Sequence, residues 1–107
     1  MAIPMAKRIP SWTLAAAEEI GGNVSLWRRM YGLTQAELAE KAKVSRETIS
    51  RLENGDGAVS VNTLLNVMHV FGILDKISDS TNPYDTPFGM ARAEAGIAKR
   101  ISRRRPS

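Results

Sequence analysis

"LTQAELAEKAKVSRETISRLENG", residues 33 to 55, holds two short helical patterns separated by only a few residues. Thr34 and Glu37 form the capping box T-x-x-E. In that arrangement the threonine hydroxyl accepts a backbone N–H of the first turn, and the glutamate reaches back to the threonine N–H. The helix so opened turns Leu38, Ala39 and Ala42 inward. Lys43 and Val44 make a turn and Ser45 is the next N-cap. Ile49 and Leu52 are the inward residues of the second helix, and Asn54-Gly55-Asp56-Gly57 ends it. Subtracting Ile49 and Leu52 leaves Arg46, Glu47, Ser50 and Arg51 on one polar, reaching face, with Thr48 beside them.

Two helices joined by a three- or four-residue turn and crossing one another are a helix-turn-helix, whose second helix lies in the DNA major groove while the first braces it across the phosphates. The crossing needs a small residue, and Ala39 is the natural one. The outward face suits base edges. Arg pairs bidentately with guanine O6 and N7, Glu accepts from cytosine N4, and the Thr methyl meets the thymine methyl. The same residue types also clothe any solvated helix face. Residues 34 to 54 carry Lys41, Lys43, Arg46 and Arg51 against Glu37, Glu40, Glu47 and Glu53, so binding there rests on local arrangement and not on a general positive field.

Upstream, Ile20, Val24, Trp27 and Tyr31 recur at steps of 4, 3 and 4 and share one stripe of a helical segment that begins at Ser11. Gly21 and Gly22 are expected to divide that segment into two helices, with one continuous helix as the alternative because an interior Gly costs only about 1 kcal/mol, and Gly32 ends the segment. Downstream, Ser60 caps a helix with Val61, Leu64, Leu65, Val67, Met68 and Phe71 on its apolar side, ending at Gly72. Ile73, Leu74 and Ile77 continue apolar, and Ser78 to Pro87 reads as a polar linker. Thr86 before Pro87 opens a further helix of about 15 residues through Phe88, Ala91, Ala95, Ala98 and Ile101. The expectation is an all-α protein with a compact four- to five-helix DNA-binding domain at residues 23–77. A helical N-terminal extension would occupy 1–22, and a linker and basic C-terminal helical tail 78–107.

A chain of 107 residues is long enough for one small core plus tails. Its net charge of +4 is uneven: Arg92, Lys99, Arg100, Arg103, Arg104 and Arg105 face only Glu94 in the last segment, and residues 1–90 hold one more acid than base. Basicity therefore speaks for the tail alone. No apolar run approaches the roughly 20 residues of a membrane span, and no secretory signal follows Lys7 and Arg8, so a cytoplasmic protein without a membrane partner is expected. With no Cys, a thiolate metal site and a disulfide framework are excluded. A single His69, no Gly-rich phosphate loop and no metal-spaced cluster leave no catalytic set to assemble, so no enzyme activity, metal or cofactor is expected. Trp27 falls on the inner stripe and reads as core, whereas Trp12 is free to be an interface residue.

The segment "GLTQAELAEKAKVSRETISRLENG" resembles the DNA-binding domain of the lambda-repressor-like, XRE-type regulators, over about Trp27 to Leu74. It carries G-L-T-Q-x-x-L-A and V-S-x-x-x-I-S-x-L-E-N-G at the family's spacing. The resemblance implies that Arg46, Glu47, Ser50 and Arg51 read bases, that Gln35 contacts phosphate and that Asn54 lies near the DNA backbone; Thr48, beside the outward face, joins the expected base-reading set, and Thr34, Lys43 and Ser45 join the expected phosphate-facing set. It implies an internal ion pair between Arg28 and Glu53. It departs at Lys43, where the family often has Gly; a left-handed non-Gly residue costs on the order of 1 kcal/mol. Operator DNA bound by a two-fold homodimer is the expected complex, through Ile73, Leu74 and Ile77 or through the N-terminal helix with Trp12 and Leu14. The segment from Asn82 onward resembles, more distantly, tails of HipB-type antitoxins that accompany HipA-like kinase toxins, with Tyr84, Phe88 and Ile101 as candidate anchors; a phosphate-binding tail and a plain solvated helix remain the alternatives.

Overall fold

The computed structural model describes residues 8–96. They are all-helical, with no strand among them: α1 (Ser11–Met30), α2 (Gln35–Ala42), α3 (Arg46–Glu53), α4 (Val61–Val70), α5 (Leu74–Ser80), a 3-10 turn (Pro83–Asp85) and α6 (Pro87–Glu94). The chain divides after Ile73 into two compact units.

In the first unit α3 packs against α1 and α2, and α2 packs against α4. The core where they meet is Val24, Leu38, Ala39, Ala42, Ile49, Leu52, Val67, Met68 and Phe71, all buried. Burying one Leu or Ile of this kind stabilises by about 1.5–3 kcal/mol, so these few side chains outweigh any single polar contact described below. Each short helix starts on a polar cap. The Thr34 hydroxyl accepts the Glu37 N–H at 3.1 Å, and the Glu37 carboxylate accepts the Thr34 N–H at 2.8 Å. The Ser45 hydroxyl accepts the Thr48 N–H at 3.1 Å, and Ser60 accepts the Thr63 N–H at 3.2 Å. The capping box holds the exposed Glu37 carboxyl below the ordinary carboxylate range, chiefly through the Thr34 N–H.

The glycine pair does not divide α1, which runs unbroken through both residues. A Cβ on Gly21 would fall on the Leu52 carbonyl oxygen and 2.8 Å from that of Glu53. Gly21 therefore serves the close approach of α1 to the end of α3, and the missing side chain is a packing requirement rather than a helix break. Gly22, one residue on, has no heavy atom within 4 Å of that position. The inner stripe is also narrower than its spacing suggested. Val24 is buried, whereas Ile20 is 38% and Tyr31 53% exposed. Trp27, Tyr31 and Phe71 stack on one another with centroids 5.7–6.2 Å apart, and the Tyr31 hydroxyl donates to the Phe71 carbonyl. Val61, expected on the apolar side of α4, points to solvent at the first turn and is 69% exposed.

The second unit is built from short pieces tied by local bonds. The expected linker from Ser78 to Pro87 instead contains the end of α5 and the 3-10 turn. The Asn82 side chain accepts the Tyr84 N–H at 3.0 Å, and the Thr86 hydroxyl accepts the Gly89 N–H at 3.0 Å. A Cβ on Gly89 would land on the Pro83 carbonyl, so the 3-10 turn and α6 meet there through backbone. The helix opened by Thr86 and Pro87 ends at Glu94, shorter than expected, because Gly96 takes a left-handed conformation with φ +80° just after it. Ala98, Ile101 and the terminal arginine cluster lie outside the described residues.

Candidate nucleic-acid interface

Eight residues, Arg46 to Glu53, make the helix that decides the site. Ile49 is 0% and Leu52 6% exposed, which roots one side in the core. On the opposite side Arg46, Glu47 and Arg51 are exposed, with Ser50 and Thr48 half-buried at its margins. The five candidate base-reading side chains are therefore brought to the solvated part of one short helix.

The approach to that helix is set by two backbone features. Lys43 closes α2 in the left-handed region, at φ 61° and ψ 39°, the only non-Gly positive φ among the described residues. There the Val44 N–H reaches the Ala39 carbonyl at 3.0 Å and turns the chain into Ser45. At the other end Gly55, at φ +81°, closes α3. The Gly55 N–H bonds to the Leu52 carbonyl and the Asp56 N–H to the Arg51 carbonyl, the paired pattern of a Schellman cap. A side chain on Gly55 would also meet Glu18 on α1 at 2.8 Å.

A polar network fixes α3 to the rest of the unit. The Arg28 Nε donates to Glu53 Oε2 at 2.7 Å and its Nη2 to Oε1 at 3.0 Å, a two-pronged ion pair between α1 and α3. The two side chains are only 15% and 6% exposed. The hydrogen bond to Glu53 raises the Arg28 pKa, against the opposing effect of burial. Arg28 Nη1 also donates to the Leu33 carbonyl at 2.9 Å, just before the α2 cap. Gln35 extends the network. Its Nε2 donates to Glu53 Oε1 at 3.1 Å, and its Oε1 accepts from Arg46 Nη1 at 3.3 Å. One chain of bonds thus runs from α1 through the root of α3 to an outward arginine at its start.

The candidate phosphate-facing residues fall at the two ends of this arrangement. Thr34, Lys43, Ser45 and Asn54 are exposed and Gln35 is half-buried. The Ser45 and Thr48 hydroxyls are 2.7 Å apart and bonded to each other. One functional candidate escaped the sequence reading: Asp56, taken there as a turn residue, accepts from Arg51 Nε at 2.7 Å. The Asn54-Gly55 pair was the available signal, since a Schellman cap brings the residue after the glycine back over the helix's last turn. His69 is exposed, and no group of three His, Asp or Glu among the described residues is placed to hold a metal ion.

A buried-rooted helix with a polar outer face, braced across a tight turn by a capped helix, defines a helix-turn-helix module. Residues 24–74 match the family model described as helix-turn-helix, and this part of the chain is a DNA-binding domain of the XRE-type, lambda-repressor-like family. No curated protein matches the chain.

Proposed function

We propose that the protein is a sequence-specific transcriptional regulator, a repressor of its own operon, that binds operator DNA as a cytoplasmic homodimer. Arg46, Glu47, Thr48, Ser50 and Arg51 meet base edges, and Thr34, Gln35, Lys43, Ser45 and Asn54 meet phosphates. The observation that carries this reading is the two-sidedness of α3: Ile49 and Leu52 sealed in the core, and Arg46, Glu47 and Arg51 presented to solvent. Near-neutral charge over this segment favours base reading over general attraction to phosphate. No helix of the described residues is long and apolar enough to cross a membrane. Of the two dimer surfaces considered from the sequence, α1 is the more open. Trp12 is 75% and Leu14 41% exposed, whereas Ile73, Leu74 and Ile77 are each half-buried.

Selection of duplexes from a random library, followed by titration of the enriched and scrambled sequences at several salt concentrations, tests the reading. A preference for the enriched duplex that persists as salt rises is expected; equal affinities throughout would remove the sequence-reading role. Sedimentation of the free protein and of its complex tests the dimer.

A second reading is favoured by Phe88 and Met90 on α6, 70% and 49% exposed. The second unit would dock a HipA-like kinase toxin, with DNA binding serving autoregulation. Deleting residues 82–107 should then abolish co-purification with the toxin and leave operator binding intact; an undiminished complex would count against it.

A further inference from the structure

Of the two arginines on the reading face, one is held in a way that leaves its whole fork free. Arg51 gives its Nε–H to Asp56 Oδ2 at 2.7 Å. Its two Nη groups have no hydrogen-bond partner among the described residues, and the side chain is 48% exposed. Asp56 is itself fixed three times over. Its Oδ1 accepts the Ala58 N–H at 2.8 Å, its own N–H bonds to the Arg51 carbonyl at 3.0 Å, and Gly55 before it holds the left-handed turn. Arg46 contrasts with this: it spends Nη1, half of the fork, on Gln35 at 3.3 Å.

A guanidinium anchored through Nε presents Nη1 and Nη2 side by side, the edge that pairs with guanine O6 and N7 in the major groove. Anchoring also removes rotamer freedom that a free arginine loses on binding. From this geometry we infer that Asp56 is a positioning residue for base recognition: it holds Arg51 as a dedicated guanine reader, and the Arg51 contact discriminates more sharply than the Arg46 contact. The inference rests on the DNA-reading function proposed above and names the base class that its second arginine takes. Simple electrostatics predicts the opposite role for Asp56, since a carboxylate at the edge of a DNA-facing surface repels phosphate, and removing it should only strengthen binding.

The full chain, its Asp56→Asn variant and its Arg51→Ala variant are compared by random-library selection and by titration of the enriched duplex carrying each base pair at every position. Asparagine keeps an acceptor for the Ala58 N–H, so the turn survives, but loses the charge that anchors Arg51. The wild-type motif should contain a guanine whose replacement costs about tenfold or more in affinity. Arg51→Ala should erase that preference, and Asp56→Asn should reduce it severalfold at the same position, leaving other positions and affinity for scrambled DNA undiminished. An Asp56→Asn protein that retains the wild-type guanine preference overturns the positioning role while leaving sequence reading intact. A wild-type protein that enriches no motif overturns both. The anchor is also tested without DNA. The Arg51 Nε–H resonance should be shifted and slowly exchanging in the wild type and ordinary in Asp56→Asn; identical resonances would contradict it.

Discussion

The two units of this chain are both helical, yet they are held in different ways. In the unit ending at Ile73, three short helices each bury apolar side chains in a common core, and a two-pronged ion pair locks α1 to α3. In the unit beginning at Leu74, α5 and the 3-10 turn bury no residue and α6 buries only Gly89, so caps and backbone contacts carry the structure. A reading helix has to be rigid, because a misplaced arginine edge loses its base. Rigidity of that kind comes from buried apolar side chains, which among the described residues all lie in the first unit.

The sharpest way to break this contrast is to remove burial on each side. Ile49→Ala, at a site with 0% exposure, should cost about 2–5 kcal/mol in urea unfolding, whereas Phe88→Ala, at 70% exposure, should change stability by less than about 0.5 kcal/mol. Similar losses at the two sites would show that α6 is held as firmly as α3. Next in size is Glu53→Ala, which strands Arg28 in a nearly closed site and should cost about 3 kcal/mol. The same variant should loosen Gln35 and Arg46, so operator affinity should fall by more than unfolding alone explains.

The adjacent glycines of α1 sharpen the point. Gly21→Ala drives a methyl into the α3 carbonyls and should destabilise by about 1–3 kcal/mol, while Gly22→Ala meets nothing and should stabilise by up to about 1 kcal/mol. Thermal melts of the two single variants check the signs, and a stabilising Gly21→Ala would mean that α1 stands off from α3. Smaller still is Lys43→Gly, which relieves a left-handed lysine and should stabilise by about 1 kcal/mol at most. If Lys43 also faces phosphate, the same protein binds DNA more weakly and with a shallower salt dependence. The smallest effect is electrostatic. Glu37 and Asp56 both titrate below the ordinary carboxylate range because backbone N–H groups, and for Asp56 also Arg51, bond their charged forms. Their contribution is present above the unfolded pKa and is lost as pH falls through the lowered folded value, so melting temperatures should hold near neutrality and decline in acid.

Most of the first unit was legible because its signals are local and chemical. The capping box at Thr34 and Glu37, the caps at Ser45 and Ser60, and the inward Ile49 and Leu52 all follow from bonds spanning three or four residues. Gly21 and Gly22 were misread because a glycine needed for flexibility and one needed for clearance are the same letter; only the carbonyls of Leu52 and Glu53, more than 30 residues away, tell them apart. The length of α6 was overestimated because alanine spacing continues past Gly96, whereas the backbone turns left-handed there. At the site, the outward set on α3 was readable from helical periodicity. The Asp56 anchor was not, since it depends on how the cap after α3 folds back.

The most direct test of the reading helix is a titration of isotope-labelled protein with its selected duplex, following backbone amides by NMR. The account predicts the largest shifts at Thr34 and Gln35 and from Ser45 to Arg51, with the amides of residues 88–94 in α6 little changed. Shifts concentrated on α6 with α3 unmoved would contradict it.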